Sequence, residues 1–218
     1  MKLLKLLLPT VLVFSLSACQ VARVTPYDYT AFKESKPKSI LVLPPLNESP
    51  EVNATWGMLS ATTYPLSEAG YYVFPVAATT ETFKQNGLTN AADIHEVKLE
   101  KLREIFGNDA VLYITVKDYG TKYQVIQSIT SVAAEAKLLD ARTGKELWKG
   151  MVYVDDAAEK GSGSLLAMLL TAVIEQIAGT LSDKGYAMAQ RAGVELLSPA
   201  RVNGILPGPR MPQVTQQP

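Results

Sequence analysis

The run Ser39-Ile40-Leu41-Val42-Leu43, stopped by Pro44-Pro45, limits most strongly what this chain can fold into. Four consecutive large aliphatic residues leave no polar face. A strand of that kind must be covered on both sides, as in a parallel sheet with helices above and below it. The prolines carry no N–H donor and end the ladder. Leu46 to Ser49 then predict a loop, and Ser49-Pro50 an N-cap with proline at the first helical position. Trp56, Leu59, Thr63 and Leu66 share a face of the helix that follows, which Pro65 should kink or end. Tyr71 to Val76 predict a second strand. Helices over 80–86, 89–95 and 98–106 come next, punctuated by Gly87 and Gly107, and Ala110 to Val116 predict a central third strand.

From there the pattern changes period. Thr130, Val132, Ala134, Ala136 and Leu138 alternate with Ser131, Ala133, Glu135 and Lys137. The turn Asp140-Ala-Arg-Thr-Gly144 leads into a return strand over 146–154, and Tyr119 to Ile126 offer one more strand before the hairpin. A long helix is expected over 164–193. Its apolar residues Leu165, Leu166, Leu169, Leu170, Val173 and Ile177 form a face suited to burial on the sheet or against another subunit. The expectation is an α/β fold: a three-layer mixed sheet with a parallel βαβ start, an antiparallel hairpin at the end and a long C-terminal helix. Five prolines after Ser198 predict a disordered tail over 196–218.

The amino terminus carries an address. Lys2 and Lys5 precede an apolar run from Leu6 to Leu16 that is too short to cross a bilayer. Leu16-Ser17-Ala18-Cys19 ends it, and Cys19 is the only cysteine of the chain. This resembles the bacterial lipobox: Leu16, Ser17 and Ala18 recognised by the signal peptidase, and Cys19 lipidated. The implied organisation is a signal peptide over 1–18, a lipidated tether over 19–37, and a single α/β periplasmic domain over 38–195. Tyr27, Tyr29 and Phe32 are expected to dock the tether on that domain. More than one acyl chain is needed for durable membrane attachment. Gln20 stands where the family rule would place Asp for inner-membrane retention, so Cys19 is expected to hold the protein in outer-membrane lipid, facing the periplasm.

Removing Lys2 and Lys5 with the signal leaves 19 basic against 21 acidic residues, without the basic footprint of a nucleic-acid-binding protein. No thiol remains for a disulfide once Cys19 is acylated, so a hydrophobic core must carry stability. One histidine, His95, excludes a His/Cys zinc site, and it reads as a surface or capping residue. Gly161-Ser-Gly-Ser164 lacks the spacing of a phosphate loop, and Asp155, Asp156 and Glu159 lack that of a calcium loop. No catalytic residue, metal or cofactor is expected.

Five stretches taken together resemble one family of bacterial lipoproteins, which includes a meningococcal surface-antigen lipoprotein. They are residues Lys36 to Pro45, Tyr64 to Tyr72, Glu81 to Gly87, Glu104 to Gly107 and Leu139 to Trp148. Members are similar in fold to the TolB amino-terminal domain and to CsgG-like lipoproteins. The resemblance implies a homodimer or other homo-oligomer among envelope proteins, in a transport or secretion complex, with no catalytic residues. The pore-forming hairpins of the curli lipoprotein are not evident. A periplasmic module for a small molecule or lipid, bound at the Pro44 to Pro50 loop, is the other function expected, since open α/β sheets bind ligands beyond the carboxyl ends of their strands.

Overall fold

The aliphatic run becomes the second strand from one edge of a six-stranded mixed sheet, in the computed structural model that describes residues 25–123, 128–157 and 181–211. After a short helix α1 (Thr30–Ser35), strand β1 (Ser39–Val42) runs parallel to both of its neighbours. The helices α2 (Ala54–Ser60) and α3 (Thr63–Glu68) lead to β3 (Tyr72–Val73), which pairs with one side of β1. The helices α4 (Val76–Gln85), α5 (Ala91–His95) and α6 (Leu99–Phe106) then return the chain to its other side as β4 (Ala110–Tyr123). Strands β5 (Ser128–Asp140) and β6 (Glu146–Asp155) add in antiparallel order, and the helix α7 (Leu181–Leu197) follows. The sheet order is β3-β1-β4-β5-β6, the α/β mixed architecture that the two periods in the sequence imply.

Two cores result, one on each face of the sheet. Leu41, Leu43 and Val111 meet Phe83, Ile94 and Leu102 from α4 to α6. On the other face Ile40, Leu112, Ile114, Leu138 and Trp148 meet Met58, Leu66, Ala189, Ala192 and Leu196 from α2, α3 and α7. Consecutive residues of β1 and of β4 therefore belong to opposite cores, which is why an unbroken apolar run was needed there.

Several local expectations are corrected. Residues 46–49 are not all loop. Pro44 and Pro45 interrupt the ladder, after which Leu46–Asn47 (β2) resumes parallel pairing with Thr115 and Val116 of β4. Helix α2 starts at Ala54, not at Pro50. The Ser49 hydroxyl donates to Asn47 Oδ1 (2.7 Å), so it is engaged inside the loop. The helix face also differs: Ala54, Met58, Leu59 and Leu66 are buried, whereas Trp56 is 48% exposed. Pro65 does mark a break. It cannot donate to the Ala61 carbonyl, and α2 and α3 separate at Ala61-Thr62. The second strand is confined to Tyr72–Val73, because Pro75 already N-caps α4.

The expected third strand and the following segment up to Tyr123 are one strand, and residues 124–126 lie outside the described residues. The pairing register of β4 shifts between Val116 and Asp118. That bulge lets Val116 and Tyr119, an odd number of positions apart, enter the same core. Helix α7 runs through Gly193 instead of ending there. A Cβ at this position would lie 2.4 Å from the Ala61 carbonyl oxygen, so Gly193 serves the approach of α7 to the break between α2 and α3.

The tail is also corrected as far as Met211. Ile205 is 1% exposed, Gly208 N–H donates to the Ala69 carbonyl (2.7 Å) and Arg210 N–H to that of Gly70 (3.1 Å). The Tyr71 hydroxyl donates to the Leu206 carbonyl. Prolines 207 and 209 hold this strap extended along the body while the N–H groups of Gly208 and Arg210 between and after them find partners. The tether aromatics dock as expected. Tyr27 lies 5.0 Å from Tyr29, Tyr29 lies 6.4 Å from Phe32, and Phe32 is buried. Among the described residues no helix is long and apolar enough to cross a membrane.

Candidate functional site

The carboxyl end of β1 is where an α/β sheet of this order can hold a ligand or partner. The loop there is held from within. Asn47 Oδ1 accepts from Ser49 N–H (2.9 Å), and Asn47 Nδ2 donates to the Glu51 carbonyl (2.8 Å). The Thr55 hydroxyl donates to the Pro45 carbonyl (3.1 Å), tying the loop to α2. A hollow of about 190 Å³ opens beside it, lined by Pro44, Val52, Trp56, Lys84 and Ile94 among others.

His95 braces the proline pair from the side of the second, larger hollow described below, and it is half-buried where a surface or capping residue was expected. Its Nε2 lies 2.9 Å from the Pro44 carbonyl oxygen, and its ring meets that of Tyr113 edge-on at 5.2 Å. The carbonyl accepts only, so Nε2 carries the proton. Burial lowers the His95 pKa from its ordinary value, with Lys137 adding to this and the Pro44 bond and Glu96 partly opposing it. The imidazole thus braces the proline pair as a neutral donor. The acids singled out in the sequence also serve the backbone. Asp156 Oδ1 accepts from Thr130 N–H (2.9 Å), and Asp155 Oδ1 from Ala157 N–H (3.0 Å). Among the described residues no three acids, histidines or cysteines gather where a metal ion could bind.

A larger hollow of about 700 Å³ lies on the face of β4, β5 and β6. Tyr113, Glu135, Lys137, Lys149 and Met151 line it from the sheet, with Tyr27 and residues 201–203 at its border. Helices α4 to α6 bury the part of this face near β1, and they leave Met151 68% and Tyr153 61% exposed on β6. Lys137 rests over the Tyr113 ring at 5.9 Å, and Lys117 pairs with Glu48 (2.9 Å) and Glu135 (3.7 Å).

Asn203 closes that border, and it has no counterpart among the residues expected from the sequence. Its Nδ2 donates to the Thr25 carbonyl and its Oδ1 accepts from Tyr27 N–H, both at 2.9 Å. Its own carbonyl accepts from Trp148 Nε1 (2.9 Å). The residue takes φ 56°, the left-handed conformation that asparagine tolerates. Beside it the Tyr29 hydroxyl donates to the Gly204 carbonyl, and the Tyr27 hydroxyl to Glu146 (3.3 Å). Burial and the Glu146 charge push the Tyr27 phenol up to about 12. The signal was the pair Asn203-Gly204, a turn dipeptide suited to positive φ. Leu16 to Cys19, the apolar face Leu165 to Ile177, Glu159 and Gly161 to Ser164 lie outside the described residues.

Comparison with known proteins places this arrangement. Residues 27–210 match the family of GNA1162-like lipoproteins. A lipoprotein of Neisseria meningitidis serogroup B, NMB1124/NMB1162, is 59% identical over 213 residues, which cover 98% of each chain. The crystal structure of lipoprotein GNA1162 from Neisseria meningitidis is similar with a TM-score of 0.54 and 63% identity, over 66% of this chain and 100% of that one. The chain belongs to the GNA1162-like lipoprotein family.

Proposed function

We propose that this member of the GNA1162-like lipoproteins is anchored by acylated Cys19 in the outer membrane, facing the periplasm. There it acts as a non-enzymatic accessory component of an envelope transport or secretion complex, as a homodimer or other homo-oligomer. The observation that carries the reading is Leu16-Ser17-Ala18-Cys19: the single cysteine of the chain directly follows small residues at the end of a basic, apolar leader. The family match supports it, since its members are described as lipoproteins. An accessory role is supported by His95, whose Nε2 proton is held by the Pro44 carbonyl, and by Asp155 and Asp156, which bond backbone N–H groups. The first experiment is Cys19→Ala with palmitate labelling and membrane fractionation. Label and membrane association should both be lost; firm attachment of the unlabelled variant would refute the anchor. In-cell crosslinking and pull-down should recover transport or secretion components. Recovery of only the protein itself counts against the accessory role.

The second reading, a periplasmic binding module for a small molecule or lipid, is favoured by the hollow of about 700 Å³ on the open sheet face. Native mass spectrometry of the purified protein tests it. A co-purified ligand lost on Tyr113→Ala supports binding, and an unliganded mass throughout opposes it.

A further inference from the structure

The tether fixes which side of the body meets the membrane. We infer that the border formed by Asn203 and the adjoining edge of β6, with Tyr27, Lys149, Met151, Arg201 and Val202, is a bilayer-contact surface seated on the phospholipid headgroup layer. This rests on the proposed acylation of Cys19 and goes beyond it by assigning an orientation.

Three observations carry the assignment. The first is reach. The chain is pinned to the body at Thr25 and Tyr27 by the two side-chain bonds of Asn203. Six residue steps separate Cys19 from Thr25, and a fully extended chain spans at most about 20 Å over that distance. A folded chain of this length is roughly 40 Å across, so a lipid at Cys19 cannot reach the bilayer past the far side of the body. The second is composition. Val202 is 71% and Met151 68% exposed, and they stand beside Arg201, Lys149 and the phenol of Tyr27. Aliphatic tips among cationic and tyrosyl groups are what the headgroup region accommodates. The third is order. Arg201 Nη1 donates to the Glu195 carbonyl (3.2 Å) and Nη2 to the Met151 carbonyl (3.0 Å), so the loop is fixed against the outer edge of β6. The surface is therefore already shaped before it meets lipid.

The test uses the full lipidated chain in vesicles of phosphatidylethanolamine with a minor share of phosphatidylglycerol. Acylation of Cys19 consumes the native thiol, so Val202→Cys introduces a single site for a fluorophore. Tyr64→Cys is the reference. It is 64% exposed on α3, which packs against β3, and four strand spacings of about 4.8 Å separate β3 from β6. Nitroxide-headgroup lipid should quench the probe at 202 several-fold more than the probe at 64. Met151→Cys serves as a second site should Val202→Cys fold poorly. Equal quenching at the two edges overturns the orientation. A probe at 202 shielded from water-soluble quencher but not quenched by the lipid also overturns it, and shows a protein covering that face instead. Failure of the lipidated protein to float with vesicles overturns both this inference and the anchor; floating with equal quenching overturns this inference alone.

Discussion

His95 makes a pH dependence that can be isolated. Burial lowers its folded pKa below the unfolded value of about 6.5, so the neutral ring is the form the fold prefers. A group with a depressed folded pKa contributes stability that is present above its unfolded pKa and is lost as pH falls through the folded one. His95 is the only histidine, and carboxylates titrate lower. The thermal midpoint should therefore decline as pH falls below about 6.5. His95→Gln, which keeps a donor for the Pro44 carbonyl, should remove that decline. An unchanged slope in the variant would show that the ring titrates freely. The partners of this residue explain why the sequence misplaces it. Pro44 is 51 positions away and Tyr113 is on β4, so nothing local distinguishes a half-buried brace from a surface imidazole. Asn203 was hidden for the same reason: its dipeptide announces a turn, but the partners of its side chain lie more than 170 positions back along the chain. The proposed role of Cys19 rests on a signal of another kind, because an export motif would be written in consecutive residues.

At the scale of elements, strands and helices were legible wherever a period ran for several residues, and their edges were not. The Ile40 to Leu43 run and the alternation from Thr130 to Leu138 each correspond to a strand. The bulge in β4 was unreadable, because Lys117 and Asp118 break the alternation in the way a loop would. Ser49 has the chemistry of a cap, and competition from Asn47 was a matter of geometry. The packing of Tyr119 gives a prediction at this scale. A Cβ on Gly57 of α2 would lie 2.2 Å from the Tyr119 hydroxyl, and one on Gly185 of α7 would lie 3.0 Å from the same ring. The ring is thus seated where two helices lack side chains. Alanine normally favours a helix interior over glycine by about 1 kcal/mol. Gly57→Ala should instead destabilise by roughly 1–3 kcal/mol through overpacking, read from chemical denaturation. Tyr119→Leu in the same chain should recover part of that loss; a more stable single variant would show that the ring moves aside at no cost.

For the whole molecule, composition misled at the carboxyl end. Proline and glycine are frequent in disordered tails, yet here they shape a strap that buries Ile205 and caps the carboxyl end of α3 through the Ala69 and Gly70 carbonyls. Disorder follows from lack of burial, and the strap has burial to gain because Trp148 Nε1 and the Tyr71 hydroxyl both need its carbonyls. Truncation after Leu197 should cost several kcal/mol, since burial of one isoleucine alone is worth about 1.5–3 kcal/mol and three side-chain donors, Trp148 Nε1 and the Tyr71 and Tyr29 hydroxyls, lose their partners. A thermal midpoint within a degree or two of the full chain would show the strap to be decoration.

The meeting of the two chain ends at Asn203 also sets an order of events. Tyr27 and Tyr29 take backbone and side-chain partners at positions 203 and 204. In a chain that emerges amino end first, the docking of Tyr27 and Tyr29 therefore cannot be completed until nearly its last residues have appeared. Until then residues 25–29 lack the partners that hold them on the body.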